Sequence, residues 1–205
     1  STVIKDFNTD IFKLFDDHWA LVTAGTPEDY NTMTISWGSL GTIWAPRGAG
    51  RQIATIYIKP SRYTFQYLEK SDYYTISFFP EEKRKDLAYL GSHSGRDEDK
   101  LAATSLTPVE KSHGTIGFKE ATLTLVCHKL YSDGFKREQI PAEIVAAYYE
   151  GEDPHHFYIG EIVDFDDNEH KNGPLCVCRT VHFSLAVVFP VSIEMVGEGQ
   201  EQDDG

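Results

Sequence analysis

Short segments rich in β-branched and aromatic residues dominate the hydrophobic pattern of this chain, and Gly- or Pro-containing stretches separate them. Such runs predict β-strands rather than helices. The predicted strands cover residues 18–24, 30–37, 53–58, 73–79, 121–131 and 157–165. A further apolar run, 175–189, predicts a strand that closes or covers the sheet. Turns are expected at 25–27, 38–41, 46–50 and around Gly114. The pattern indicates a mainly β fold, a closed and mostly antiparallel barrel.

Helical patterns are fewer and follow turn signals. Residues 61–70 come directly after Pro60, with Ser61 as the expected N-cap. Residues 81–90 begin with acidic side chains after Pro80, and residues 97–104 complete the third predicted helix. The end of the chain, 197–205, is acidic and lacks an apolar run, so we expect a disordered tail after a single domain at 1–196.

The charge balance limits the partners this protein can have. A formal net charge of −13 over 205 residues argues against nucleic acid, whose binding depends on Lys and Arg at phosphates. An acidic surface also repels small anions at long range, so an anion site must be local. No run of about eighteen apolar residues is present, and the N-terminus lacks the pattern of a signal peptide, so no membrane association is expected.

Three cysteines, Cys127, Cys176 and Cys178, are an odd number with spacings that suit neither a zinc site nor a redox pair. We interpret them as small apolar strand residues. Free thiols of this kind are typical of a reducing compartment, and the expected location is the cytoplasm.

Residues 94–100 have the pattern of a helix start that holds an anion. Ser94 and Asp97 fit a capping box, and Gly95 permits close approach of the backbone to a ligand. Arg96 and Lys100 lie four residues apart and would share one helix face beside the free amides. The alternative interpretation is an ordinary capped surface helix with charged residues on its exposed face.

Two other segments support the first interpretation. In 59–64, Lys59 and Arg62 lie at a second strand-to-helix junction, again with cations near a helix start. In 30–37, the hydroxyls of Thr32, Thr34 and Ser36 fall on one face of a strand, opposite Met33, Ile35 and Trp37. The alternative for this strand is a half-buried one with a solvated face.

Other motifs that would carry chemistry are absent from the sequence. His155 and His156 lie in a turn before a strand, without further ligands at fixed spacing, so no metal site is predicted. No Gly-x-Ser-x-Gly elbow, Walker loop or Gly-x-Gly-x-x-Gly fingerprint occurs. A nicotinamide cofactor would therefore not bind through a Rossmann unit.

The segments 31–38, 59–64 and 94–100, the last followed by Leu106-Thr107-Pro108, occur in the order and spacing of a known family. Between about residues 18 and 165, the chain resembles the flavin reductase-like, FMN-binding split-barrel family, and most closely its flavoredoxin-type members. The resemblance implies a six-stranded antiparallel Greek-key split barrel with a few added helices. It also implies a homodimer with FMN near the dimer interface.

The resemblance assigns a role to each motif. The first motif would face the isoalloxazine ring and ribityl chain through Asn31, Thr32, Met33, Thr34, Ser36 and Trp37. The other two would hold the phosphate end through Lys59, Arg62, Tyr63, Thr64, Ser94, Gly95, Arg96 and Lys100. His155, five residues before Gly160-Glu161, is the catalytic candidate on the nicotinamide side, with His156 as the alternative.

The function implied is an FMN oxidoreductase that uses NADH or NADPH and passes electrons to a partner acceptor or releases reduced flavin. One alternative is a flavoredoxin-type electron-transfer protein that does not use NAD(P)H directly. A second alternative is a flavin-free barrel that serves as a binding module.

Overall fold

A computed structural model describes residues 7–45 and 48–168 of this chain. The predicted strand at 175–189, the predicted tail at 197–205, the end of the predicted domain at 196, and Cys176 and Cys178 all lie outside the described residues.

The described part of the chain is mainly β, as predicted. Its nine strands are β1 Ala20–Gly25, β2 Tyr30–Ile35, β3 Gly38–Ile43, β4 Arg51–Ile58, β5 Tyr73–Phe78, β6 Pro108–Lys111, β7 Thr115–Phe118, β8 Leu123–Gly134 and β9 His156–Asp167. Seven of them form one antiparallel sheet in the order β2-β1-β5-β8-β9-β4-β3, while β6 and β7 form a separate hairpin.

The order of the strands shows how the large sheet closes. β2 and β3 are its two edges, yet only Ser36 and Trp37 separate them along the chain. Since each residue spans about 3.8 Å at most, the ends of these edges lie within roughly 11 Å of each other. The sheet therefore curls into a barrel whose edge strands are neighbours in sequence.

The expected count of six strands is wrong, because the sheet has seven. The extra strand, β3, covers the segment predicted as a turn from Gly38 and Gly41. Gly38 serves packing instead, since a Cβ there would lie 2.4 Å from the ring of Phe15. A glycine that admits a neighbouring ring gives the same sequence signal as a turn glycine.

Two groups of buried side chains hold the fold together. The larger one fills the barrel and includes Val22, Ile56, Tyr74 and Leu125, each fully buried. The smaller one lies beneath the helix at Arg84–Ser92 and contains Leu21, Phe79, Leu87, Leu90, Leu106, Phe118 and Ala121. Cys127 is a free thiol on β8 and is fully buried, as its interpretation as an apolar strand residue predicts.

The three α-helices are α1 Tyr63–Lys70, α2 Arg84–Ser92 and α3 Ala142–Tyr148. Shorter helical turns occur at Lys13–Asp17, Glu81–Lys83, Lys100–Ala103, Ser112–Gly114 and Arg137–Gln139. The predictions for 61–70 and 81–90 are confirmed, although α1 begins one residue later than expected: its N-cap is Arg62, and Ser61 makes no capping bond. No helix among residues 7–45 and 48–168 is long and apolar enough to cross a membrane.

The predicted helix at 97–104 is wrong. Residues 95–97 form a turn, and only Lys100–Ala103 are helical, as a single 3₁₀ turn. The cause is tertiary: the Lys100 side chain points inward and donates hydrogen bonds to carbonyl oxygens of the preceding segment. Arg96 and Lys100 therefore do not share a helix face.

Candidate functional site

The three sequence motifs meet at one cavity of about 190 Å³. β2 contributes to it from one side, the start of α1 from another, and the segment that follows α2 closes it. We call it the anion cavity. It is lined by Asn31, Met33, Ser61, Arg62, Tyr63, Thr64, Leu90, Gly91, Ser92, His93, Ser94, Arg96, Asp97 and Lys100.

Close contacts fix the three motifs against one another. The Asn31 side-chain amide donates a hydrogen bond to Thr64 Oγ1 at 2.7 Å, which joins β2 to α1. A Cβ atom on Gly95 would lie 2.1 Å from Asn31 Oδ1 and 3.4 Å from the Tyr63 ring. Glycine is therefore required at position 95, where the backbone passes directly over the other two motifs.

Two guanidinium groups line the anion cavity without a protein partner. Neither Arg62 nor Arg96 forms a hydrogen bond or ion pair through its side chain with any other residue that the structure describes. Arg96 instead lies over the face of Tyr63, with 5.2 Å between its guanidinium carbon and the ring centroid. In a chain with 32 acidic and 19 basic residues, two guanidinium groups that pair with no described carboxylate, although Asp97 lines the same cavity, are available to an anionic ligand.

Lys100 has a different role in the same cavity wall. It is 5 % exposed, and its Nζ donates to Leu90 O at 3.0 Å and to His93 O at 3.1 Å. These carbonyls belong to the C-terminal end of α2, which carries the negative end of the helix dipole. Burial, together with the neighbouring charge of Arg62, lowers the pKa of Lys100 to about 8. Lys100 thus offsets an unfavourable negative field beside the cavity.

Two helix ends lie beside the anion cavity, the C-terminus of α2 and the N-terminus of α1, and the electrostatic fields of their dipoles have opposite signs. The capping box expected at Ser94 does not form; Ser94 Oγ accepts from the Arg96 N–H at 3.2 Å within a turn. The positive helix end comes instead from α1, which begins at Tyr63 beside the cavity. The second motif therefore supplies the helix start that was expected from the third.

The threonine hydroxyls of β2 form hydrogen bonds with other protein groups. Thr32 Oγ1 donates to Val22 O at 3.2 Å and accepts from Thr23, while Thr34 Oγ1 donates to Leu87 O at 2.6 Å. The β2 side chains that line the anion cavity are Asn31 and Met33, on the opposite strand face. Ser36 lies in the link between β2 and β3.

An aromatic cluster surrounds His155. The Trp37 ring lies 5.2 Å from the imidazole and 5.7 Å from Tyr148, and the Tyr149 hydroxyl lies 2.8 Å from His155 Nδ1. We call Trp37, Tyr148, Tyr149 and His155 the aromatic cluster. Burial, with the charges of Lys59 and Arg62, lowers the pKa of His155 to about 4, so its ring is neutral at pH 7. His156 packs instead against Phe65, at 4.9 Å.

Lys59 lies beside the aromatic cluster, not in the anion cavity. Its Nζ donates to Tyr148 O and to Glu152 Oε2, both at 2.9 Å. Sequence reasoning missed Tyr148 and Tyr149, which the end of α3 positions. The Ala-rich segment after Pro141 was the available signal for this helix.

A second cavity, of about 260 Å³, shares a wall with the anion cavity and has the opposite charge. Its acidic side chains are Glu28, Asp29, Glu98 and Asp99, and Asn31 and Lys100 lie on the shared wall. These carboxylates repel an anion, so the attraction for one is confined to the side of Arg62 and Arg96.

The seven-stranded antiparallel barrel and the three motifs that converge at its anion cavity define a split-barrel protein of the flavin-binding class. Residues 13–186 match the flavin reductase like domain, and the chain therefore belongs to the flavin reductase-like family. No curated protein matches the chain.

Solved structures share this fold. An FMN-binding protein from Thermus thermophilus, crystallised with 1-cyclohex-2-enone, has a TM-score of 0.58 at 21% identity, covering 85% of each chain. Flavoredoxin from Methanosarcina acetivorans has a TM-score of 0.55 at 20% identity, covering 74% of this chain and 68% of its own. Nitrilotriacetate monooxygenase component B from Bacillus cereus has a TM-score of 0.57 at 17% identity, covering 74% and 70%.

Proposed function

We propose that this protein is an FMN-binding oxidoreductase that accepts hydride from NADH or NADPH and passes electrons to a second acceptor. The observation that carries this proposal is the pair of unpartnered guanidinium groups, Arg62 and Arg96, beside the N-terminus of α1. Membership of the flavin reductase-like family supports a flavin as the ligand.

The residues present fit one end of FMN. Pockets for whole ligands usually enclose about 300–1,000 Å³, whereas the anion cavity encloses about 190 Å³. That volume suits a phosphoryl group and part of a polyol chain, and the donor set of two guanidiniums and the start of a helix suits a phosphate dianion. FAD would need an adenosine site, for which the motifs supply no residues, so FMN is the expected flavin.

In this proposal, Arg62, Arg96 and the first amides of α1 hold the phosphate, with Tyr63, Thr64, Ser94 and Gly95 shaping the cavity around it. Asn31 and Met33, which line the same cavity, would contact the ribityl chain, and Trp37 would contact the flavin ring. When bound, FMN supplies a ring that exchanges hydride with a stacked nicotinamide. The chain contributes positioning and exclusion of water, and His155 contacts the nicotinamide side as a neutral ring.

A flavin titration combined with anaerobic reduction tests this function. We expect FMN to bind more tightly than FAD, and riboflavin to bind less tightly than FMN because it lacks the phosphate. Anaerobic mixing with NADH or NADPH should then bleach the flavin absorbance. Bleaching by dithionite but by neither nucleotide would favour the alternative of an electron-transfer protein that does not use NAD(P)H directly. Absence of flavin binding would favour the alternative of a flavin-free binding module.

We also propose a cytoplasmic homodimer that transfers electrons to an acceptor protein. Trp37 and Tyr148 are 44% and 51% exposed, which suits an aromatic surface covered by another subunit. Light scattering at micromolar concentration should give twice the chain mass. A monomer mass would contradict the dimer without affecting the flavin site.

A further inference from the structure

We propose that Tyr149 is a positioning residue for His155: its phenol O–H donates to Nδ1 and keeps the ring proton on Nε2. The protonated Nε2 is then a neutral donor that can bind a carbonyl oxygen of the co-substrate, such as a carboxamide. This role in the reaction rests on the proposed function, whereas the tautomer itself does not.

The two side chains form a buried pair within the aromatic cluster. Tyr149 is 6% exposed and His155 is 9% exposed, and 2.8 Å separates the hydroxyl from Nδ1. Their rings meet edge to face at 5.6 Å and 72°. Trp37 covers the imidazole from another direction, at 5.2 Å. The imidazole is thus held in one orientation by two different neighbours.

The direction of the hydrogen bond follows from what each group can offer. A phenol is a good donor, and the unprotonated nitrogen of a neutral imidazole is a good acceptor. Were Nδ1 protonated and donating, the Tyr149 hydroxyl would need another acceptor, and the structure describes none for it among residues 7–45 and 48–168. A buried O–H without an acceptor is unfavourable, so the bond runs from Tyr149 to His155.

Two cationic side chains fix the backbone that carries Tyr149. Lys59 Nζ donates to Tyr148 O at 2.9 Å, and Arg137 donates to Tyr149 O at 3.0 Å and also to Glu152 O. Both cations are therefore satisfied by the turn after α3. A turn fixed on both sides of Tyr149 is the expected support for a residue that must place a hydroxyl accurately.

Burial and nearby cations keep the imidazole neutral. Burial contributes most to the lowered pKa of His155; the charges of Lys59 and Arg62 also disfavour protonation, whereas Glu152 favours it. Because Glu152 is paired with Lys59 at 2.9 Å, the cationic influence prevails. A neutral ring has two tautomers, and nothing other than the Tyr149 hydroxyl is described as a hydrogen-bond partner of either ring nitrogen.

The test is nitrogen NMR of the full chain labelled with ¹⁵N-histidine, without added flavin, at pH 7. His155→Gln identifies the His155 signals. In the parent, we expect Nε2 to be protonated and Nδ1 not. In Tyr149→Phe, we expect a mixture of the two tautomers, while the matched control Tyr148→Phe should keep the parent pattern. Tyr148 provides this control because it lies in the same turn and its hydroxyl has no described hydrogen bond.

An Nδ1-protonated ring in the parent would overturn the proposal without any variant, so the test does not depend on whether Tyr149→Phe folds. An unchanged tautomer in folded Tyr149→Phe would overturn it as well. If FMN binds and turnover occurs, Tyr149→Phe should raise the KM for the nicotinamide about three- to tenfold and leave FMN affinity unchanged. Failure of FMN to bind would refute the proposed function while the NMR result still decided the tautomer.

Discussion

The protein uses the two guanidinium groups of the anion cavity differently from the two cationic side chains beside the aromatic cluster. In the cavity, Arg62 and Arg96 have no hydrogen-bonded or ion-paired partner within the described residues. Beside the aromatic cluster, Lys59 and Arg137 donate to carbonyl oxygens of the turn after α3, and Lys59 also pairs with Glu152. The first pair is available to a ligand, and the second pair belongs to the scaffold.

A cationic residue near a predicted site can therefore have one of two roles: it can bind a ligand, or it can stabilise the surrounding protein. Carboxylates are plentiful in this acidic chain, and Asp97 lines the anion cavity, so a guanidinium there that pairs with no described carboxylate is free to bind an anion from solution. A cation whose donors are already used can affect a ligand only at longer range, where solvent weakens its influence. The comparison can be tested by removing one member of each pair.

The largest effect is expected from Arg96→Ala. Loss of a charge-assisted hydrogen bond to phosphate is worth roughly 1.5–3 kcal/mol, so FMN affinity should fall about tenfold to a hundredfold. Arg62→Ala should behave similarly. Riboflavin, which has no phosphate, should bind both variants and the parent almost equally. Flavin fluorescence titration measures all three affinities.

Lys85→Ala is the matched control, since Lys85 is an exposed cation on α2 outside the cavity and should change neither affinity. Arg84 is unsuitable, because its guanidinium stacks on Trp19 at 3.4 Å. Equal weakening of FMN and riboflavin by Arg96→Ala would contradict the phosphate role. The segment 94–100 would then be an ordinary surface turn.

Lys59→Met tests the other pair and should act on stability. Two hydrogen bonds from a partly buried ammonium are lost, so the free energy of unfolding should fall by about 1–2 kcal/mol. FMN affinity should change less than about threefold, because Lys59 does not line the anion cavity. Urea unfolding and flavin titration give the two quantities, with exposed Lys136→Met as the control. A tenfold loss of FMN affinity at unchanged stability would instead show that Lys59 binds the phosphate directly.

Tyr74→Phe tests whether an unpaired polar group marks function when it faces no cavity. The Tyr74 hydroxyl is fully buried in the barrel, has no hydrogen-bond partner in the described structure, and lies 2.4 Å from where a Cβ on Gly160 would stand. Removing it should raise the free energy of unfolding by about 1 kcal/mol and leave FMN affinity unchanged.

Tyr158→Phe is the matched comparison, because the Tyr158 hydroxyl donates to Glu69 at 2.6 Å. It should lower the free energy of unfolding by about 1 kcal/mol. If Tyr74→Phe were the more destabilising of the two, the Tyr74 hydroxyl would have a partner and a role.

The smallest expected effect is the pH dependence due to His155. Its pKa is about 4 in the folded protein and near 6.5 when unfolded, so the unfolded chain takes up more protons in between. Stability from this group is complete above pH 6.5 and declines as the pH falls toward 4. Between pH 7 and pH 6, the loss should be under about 1 kcal/mol.

Urea unfolding of the parent and of His155→Gln at pH 7 and pH 6 isolates this contribution. The difference in unfolding free energy between the two proteins should change with pH in the direction that favours the parent at pH 7. A constant difference would mean that His155 titrates normally in the folded state.

Local sequence patterns predicted much of the fold, and the errors have identifiable causes. Strands β2, β4 and β5 were found because β-branched and aromatic residues mark them. β3 was missed since Gly38, which admits the Phe15 ring, looks like a turn residue. α3 was missed because it buries none of its side chains and so lacks an apolar stripe with helical spacing.

The candidate site was predictable to a similar extent. Arg62, Arg96, Gly95 and Asn31 were found from motifs and do line or shape one cavity. Tyr149 was not found, because no local pattern connects a residue at the end of a helix with a histidine beyond the next turn. The positions of these side chains follow from the structure, and their roles toward FMN and nicotinamide remain predictions.

The sequence by itself determined where β2, β4, β5 and the helices near 61–70 and 81–90 occur and which cations lie near them, because these features depend on neighbours a few residues apart. The tertiary structure alone decided which cations are used by the protein. Lys59 and its partner Tyr148 are 89 residues apart, and the register of β4 with β9, which pairs Ile58 with His156, brings their segments together. Whether a cation is paired or free is settled by such long-range packing, since its partner can come from anywhere in the chain.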